Sequence, residues 1–156
     1  AATLLMAGEP SPAAGGTPAL DPNVCDNKPV VMIVECKLKD RERLADYAKA
    51  IRDSGLYEKL GGYYINNPRT VAVFEGTPPP ERSILLVRFP CYAHARAFWY
   101  SKEYQERIIP LRQNPSAGDF TVTVHAENAV PAYLDGRVTP GSYAPVSPAV
   151  RQAIPQ

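Results

Sequence analysis

His125 is the residue in this chain best suited to move a proton, because an imidazole titrates near neutral pH. It closes the β-rich run Phe120-Thr-Val-Thr-Val-His125, and strand parity puts it on one sheet face with Glu35 and Arg88. As neighbours these three would do acid–base work, with Glu35 orienting the ring or pairing with Arg88. The competing reading is a rim salt bridge beside a solvated histidine. Tyr63, Tyr64, Trp99 and Tyr104 offer ring faces and polar tips to an organic ligand, or else serve as core and interface residues. Arg112 either binds a carboxylate or anchors the loop before the last strand. His94 lies among alanines and reads as a surface residue.

Other chemistries find little support. Two histidines and scattered carboxylates have no metal-ligand spacing, so no metal and no cofactor is expected. Gly15-Gly16 and Gly61-Gly62 follow neither a P-loop nor a dinucleotide-binding pattern. Cys25, Cys36 and Cys91 form an odd set without a CxxC, which reads as buried or loop thiols rather than a disulfide framework. Cys91 precedes a helix whose dipole would favour its thiolate, yet no base accompanies it.

The elements that must position these residues are legible from periodicity. Val30–Leu38 is rich in β-branched residues and alternates as a strand does. Asp40 is an N-cap for a helix with Leu44, Tyr47, Ala48 and Ile51 along one stripe, and Gly55 is its stop. Tyr63–Ile65 is a second strand that Thr70–Glu75 continues or repeats after the Asn66-Asn67-Pro68 turn. Ser83–Phe89 is a third, ended by Pro90. A second helix then carries Ala95, Phe98 and Trp99. Ser101 caps a short helix with Tyr104, Ile108 and Leu111 on one side, and Phe120–His125 is the last strand. The order βαββαβ predicts an α+β, ferredoxin-like fold with an antiparallel four-stranded sheet.

Parity sorts the strand residues onto two faces. Met32, Val34, Cys36, Leu85, Val87, Phe89, Phe120, Val122 and Val124 form an apolar face expected under the helices. The other face holds Val31, Ile33, Glu35, Ile84, Leu86, Arg88, Thr121, Thr123 and His125. Leaving Val31, Ile33, Ile84 and Leu86 wet forfeits roughly 1.5–3 kcal/mol each, which a second sheet would recover. A homodimer with a small-molecule pocket between paired sheets is therefore expected.

The domain spans residues 30–125, flanked by extended Pro-rich arms at 1–29 and 126–156, where many of the 17 prolines fall. Seventeen basic against 16 acidic residues, with no basic stripe, give no support to a nucleic-acid partner. No apolar segment approaches the roughly 20 residues needed to cross a membrane as a helix. Ala1–Ala7 is too short and lacks the basic flank of a signal peptide, and no methionine starts the chain. The expectation is a soluble chain, either processed at its N-terminus or an excerpt of a longer one, with its compartment left open.

Arg88-Phe-Pro-Cys-Tyr-Ala-His-Ala-Arg-Ala-Phe-Trp-Tyr-Ser-Lys-Glu-Tyr-Gln105, followed by Leu111-Arg112 and Gly118-Asp119, resembles the dimeric α+β-barrel proteins of domain-of-unknown-function family 1330. Leu44–Ala48, Gly62-Tyr63, Glu75-Gly76 and Arg82 fall where that pattern expects them. His94 and Trp99-Tyr100 are bulkier than is typical, and Pro110 interrupts the run before Leu111-Arg112. The resemblance covers about Val30 to Val124. It implies a ferredoxin-like fold and a two-fold dimer, and assigns no activity. Related barrel families include cofactor-free cyclases, isomerases, oxygenases and haem-handling proteins, an analogy at the level of fold.

Two functions are consistent with these residues. One is a small-molecule binder or cofactor-free proton-transfer enzyme of isomerase, cyclase or lyase type, with His125, Glu35 and Arg88 catalytic and Tyr63, Tyr64, Trp99, Tyr104 and Arg112 binding. The other is a non-catalytic accessory subunit whose Pro-rich arms dock on partner proteins.

Overall fold

The structure, a computed structural model, describes residues 25–136. Most of both Pro-rich arms, and with them the proposed docking on partner subunits, lies outside these residues. Four strands, β1 (Val30–Leu38), β2 (Tyr63–Tyr64), β3 (Arg82–Phe89) and β4 (Gly118–Ala126), form one sheet in the order β2-β3-β1-β4. All pairings are antiparallel. The helices are α1 (Arg41–Ser54), α2 (Leu56–Leu60), α3 (Tyr92–Tyr100) and α4 (Pro110–Gln113), with a π-helical turn at Tyr104–Ile108 before α4. The expected α+β, four-stranded antiparallel architecture is what the chain adopts.

The register bears out the parity argument. Met32 lies opposite Val87 and Val124, and Val34 lies opposite Leu85 and Val122, so the apolar set shares one face. That face packs against Ile51, Ala95, Phe98, Tyr104 and Ile108 from the helices. Phe98 stacks on Tyr57 at 4.7 Å and meets Tyr104 at 4.6 Å, so aromatic rings fill much of the core. On the outer face Val31, Ile33, Ile84 and Leu86 are only half-buried.

Helix α1 starts and stops where its sequence requires. The Asp40 carboxylate accepts from Arg43 N–H at 3.1 Å, and Gly55 ends the helix at φ 65° with its N–H donating to Arg52 C=O.

Three expectations need correction. Thr70–Glu75 is irregular, and Val71 and Phe74 are fully exposed. The cause is Asn66, whose amide donates to Ile84 C=O at 2.9 Å while its oxygen accepts from Leu86 N–H at 2.8 Å. A side chain thus occupies the edge of β3 that a longer second strand would need, and Asn67-Pro68 leads the chain away.

Cys25 and Cys91 form a disulfide, and only Cys36 is a free, buried thiol among the described residues. Antiparallel pairing of Val30 with Phe89 brings the residues before β1 beside those after β3, although the cysteines are 66 positions apart.

Leu111 is exposed rather than aligned with Tyr104 and Ile108. Pro110 has no N–H to continue an α-helix, and Ile109 N–H instead reaches Tyr104 C=O, five residues back, at 2.8 Å. The extra residue in that turn rotates Arg112 into the position Leu111 would otherwise take.

Gly118 begins β4 where a Cβ would sit 2.6 Å from Lys37 C=O and 2.8 Å from Cys36 Sγ. Backbone cannot yield cheaply there, so Gly118→Ala is expected to lower stability by about 1–3 kcal/mol. An unchanged midpoint in urea denaturation would contradict this packing.

Candidate functional site

A cavity of about 470 Å³ lies between the inner face of the sheet and the helices. Met32, Val34, Leu85 and Phe120 form its floor, and Leu44, Tyr47 and Ile51 come from α1. Tyr57, Tyr64, Trp99 and Tyr104 enclose it with rings, and Asn66, Asn67, Ser83 and the exposed Arg52 add polar groups. No carboxylate lines it. Its size and apolar lining suit a small organic molecule.

Arg112 is the unusual member. Only 3% of it is exposed, yet none of the ion pairs among the described residues includes it. Its guanidinium lies 3.9 Å over the Phe120 ring and 5.1 Å from the Tyr47 ring centre. Nη2 makes one long hydrogen bond, donating to Tyr104 Oη at 3.5 Å, and buried Nε–H has no partner among the described residues. Each ring contact stabilises a cation by roughly 0.5–2 kcal/mol. Removing a charge from water costs several kcal/mol per ion, so these contacts leave a deficit that an anion would offset.

The Tyr47 and Tyr104 hydroxyls lie 2.8 Å apart. One hydroxyl donates its proton to the other, whose own O–H is left to donate to a ligand. Burial pushes the Tyr47 hydroxyl well above the ordinary tyrosine range, and the neighbouring Tyr104 adds to this. Burial raises Tyr57 and Tyr64 in the same way, and raises the Cys36 thiol despite the nearby Arg112 cation. The cavity therefore offers neutral hydroxyls, a neutral thiol and a fixed positive charge near pH 7. Such a set of groups is complementary to an anion.

The sequence-derived residues divide between two places. Tyr64, Trp99, Tyr104 and Arg112 line this cavity. Tyr63 pairs with Arg88 across β2 and β3 instead. Arg88 and His125 both sit opposite Val31, two strands apart, whereas Glu35 is four residues further along β1, about 13 Å away. The expected contacts among the trio are not made. Glu35 binds Arg82 at 2.9 Å, Arg88 binds Glu127 at 2.7 Å, and His125 Nε2 meets Thr123 Oγ1 at 2.9 Å. Lateral and cross-strand neighbours simply reach each carboxylate first.

Tyr47, Tyr57, Arg52 and Asn66 were not among the expected site residues. Tyr47 alone carried a signal: a hydroxyl-bearing residue within an otherwise aliphatic helix stripe. His94, expected at the surface, is half-buried, and its Nδ1 meets Leu60 C=O at 2.9 Å.

Among known proteins, a family model described as a domain of unknown function (DUF1330) matches residues 29–125. No curated protein matches the chain significantly. A solved structure of a protein of unknown function from Rhodopseudomonas palustris is 18% identical, with a TM-score of 0.50, over 68% of this chain and 87% of that one. A conserved protein from Methanosarcina mazei Go1 is 13% identical, with a TM-score of 0.41, over 65% and 95%. A hydroxynitrile lyase from Passiflora edulis is 12% identical, with a TM-score of 0.41, over 67% and 97%. The first likeness supports the fold; the two others carry no argument about activity.

Replacing Arg112 by Met removes the unpaired charge while filling similar space. The unfolding free energy in urea is expected to stay level or rise by up to about 4 kcal/mol. A loss of 3 kcal/mol or more would make Arg112 a structural anchor of the loop before β4 instead.

Proposed function

The chain belongs to the DUF1330 family, whose function is unknown, and from that premise we propose that it binds a small organic carboxylate between sheet and helices. The observation that carries this reading is the buried Arg112 side chain, without a carboxylate partner and with an unpartnered Nε–H, in the wall of a ring-lined cavity that itself holds no carboxylate. Arg112 meets the carboxylate, and the Tyr47–Tyr104 pair donates its spare proton to an oxygen. Tyr57 and Trp99 hold an aromatic or branched hydrocarbon body. Such rings favour flat or bulky acids over short polar ones.

Binding is favoured over proton-transfer catalysis in this cavity because neither a carboxylate nor an imidazole lines it to act as a base. Acid–base chemistry by His125 with Glu35 and Arg88 between paired sheets stands as a second reading, for which the Glu35–Arg82 and Arg88–Glu127 pairs would have to open. Its support is the half-buried outer face of Val31, Ile33, Ile84 and Leu86, which a second copy would cover to make a homodimer.

Calorimetric titration with benzoate, phenylacetate and 3-methylbutanoate, each against its amide, tests the reading. A charge-assisted hydrogen bond contributes roughly 1.5–3 kcal/mol, so each acid should bind about 10- to 100-fold tighter than its amide. Arg112→Met should abolish that preference, and His125→Ala should leave it intact. Equal binding of acid and amide, or no binding of either, would defeat the proposal.

A further inference from the structure

The fold gathers a second group of chemically able side chains away from the cavity. Cys25 Sγ, Cys91 Sγ and a ring nitrogen of His94 all lie within 4.8 Å of one another. The sequence gives no hint of this, because Cys25 arrives from the far side of β1. His94 Nδ1 donates to Leu60 C=O at 2.9 Å when protonated there, which fixes the ring and leaves its electron pair on Nε2. A backbone carbonyl held in this way is the usual outer partner of a metal-binding histidine. Cys91 is fully buried at the N-cap of α3, where the helix dipole favours a thiolate. Cys25 and His94 border a surface depression with Leu60, Ala97, Ser101 and Lys59, so the group has an approach from solvent.

We propose that Cys25, Cys91 and His94 form a redox-gated site for a borderline-soft divalent cation, best matched by Zn²⁺, that opens when the disulfide is reduced. A dithiol reductant transfers two electrons and two protons to the Cys25–Cys91 bond, giving two thiols and the reductant's own disulfide. Zn²⁺ then displaces both thiol protons to solvent and takes two sulfurs and one nitrogen as ligands. Water from the depression completes the tetrahedron. Zinc–sulfur bonds of about 2.3 Å and zinc–nitrogen bonds of about 2.0–2.1 Å place such donors roughly 3.5–3.8 Å apart. The sulfurs must separate once reduced, while the imidazole nitrogen already lies within 4.8 Å of both. Two thiolates neutralise the cation, and among the described residues lining the depression only Lys59 carries an opposing charge. Disulfide and metal are then alternative ties between the segment before β1 and the start of α3.

The test uses the full chain reduced with a phosphine, which does not compete for zinc as dithiols do. Co²⁺ titration should give one equivalent bound, with sulfur-to-cobalt charge-transfer and tetrahedral d–d bands. Zn²⁺ should displace it and raise the Tm of the reduced chain. The oxidised chain should bind neither ion. His94→Ala and Cys25→Ser, each checked for folding by circular dichroism, should weaken Zn²⁺ at least about tenfold in competition with a chromophoric chelator. Absence of these bands in the reduced chain, or an affinity unchanged by both substitutions, would overturn the proposal.

Discussion

The cost of burying the Arg112 guanidinium without a carboxylate is the constraint around which the cavity is organised. Pro110 withholds an N–H, the preceding turn widens to a π-helical bond from Ile109 to Tyr104, and Arg112 turns inward where a leucine would have been cheaper. Once inside, the cation rests on the rings of Phe120 and Tyr47 and donates weakly to Tyr104. None of these partners carries a full negative charge. A cation kept in that state is a standing attraction for an anion small enough to enter.

The two faces of the sheet ask for different partners. The inner face is closed by helices except where the cavity remains, and its lining is aromatic. The outer face presents half-buried aliphatic residues, with charged groups already neutralised by Arg82–Glu35 and Arg88–Glu127 pairs. Paired charges and an aliphatic patch left half-exposed suit contact with a second sheet. A charge left alone in a hollow suits a ligand.

Much of this was legible beforehand, because strand parity and helix spacing are direct consequences of backbone geometry. Val30–Leu38 could sort its side chains onto two faces without knowing their neighbours, and Asp40 and Gly55 announce the ends of α1 by their own chemistry. What escaped depends on contacts far apart in sequence. The Asn66 amide takes the place of a strand at the edge of β3, and no local pattern distinguishes that asparagine from an ordinary turn residue. The Cys25–Cys91 bond follows from the register of β1 against β3, which pairing alone determines. Arg112, Trp99, Tyr104 and Tyr64 are types that suit a ligand, yet the inward turn of Arg112 depends on the π-helical bond from Ile109 to Tyr104 just before it. Glu35, Arg88 and His125 share a face as parity demanded, but register along β1 decides distance, and it keeps Glu35 apart.

The most direct measurement is a crystal structure of the protein grown with saturating benzoate. The account predicts electron density for the ring between Tyr57 and Trp99, with its carboxylate on the Arg112 guanidinium and an oxygen within hydrogen-bond distance of Tyr47 or Tyr104. An empty cavity, or benzoate seated instead on the outer face beside Arg88 and His125, would contradict it.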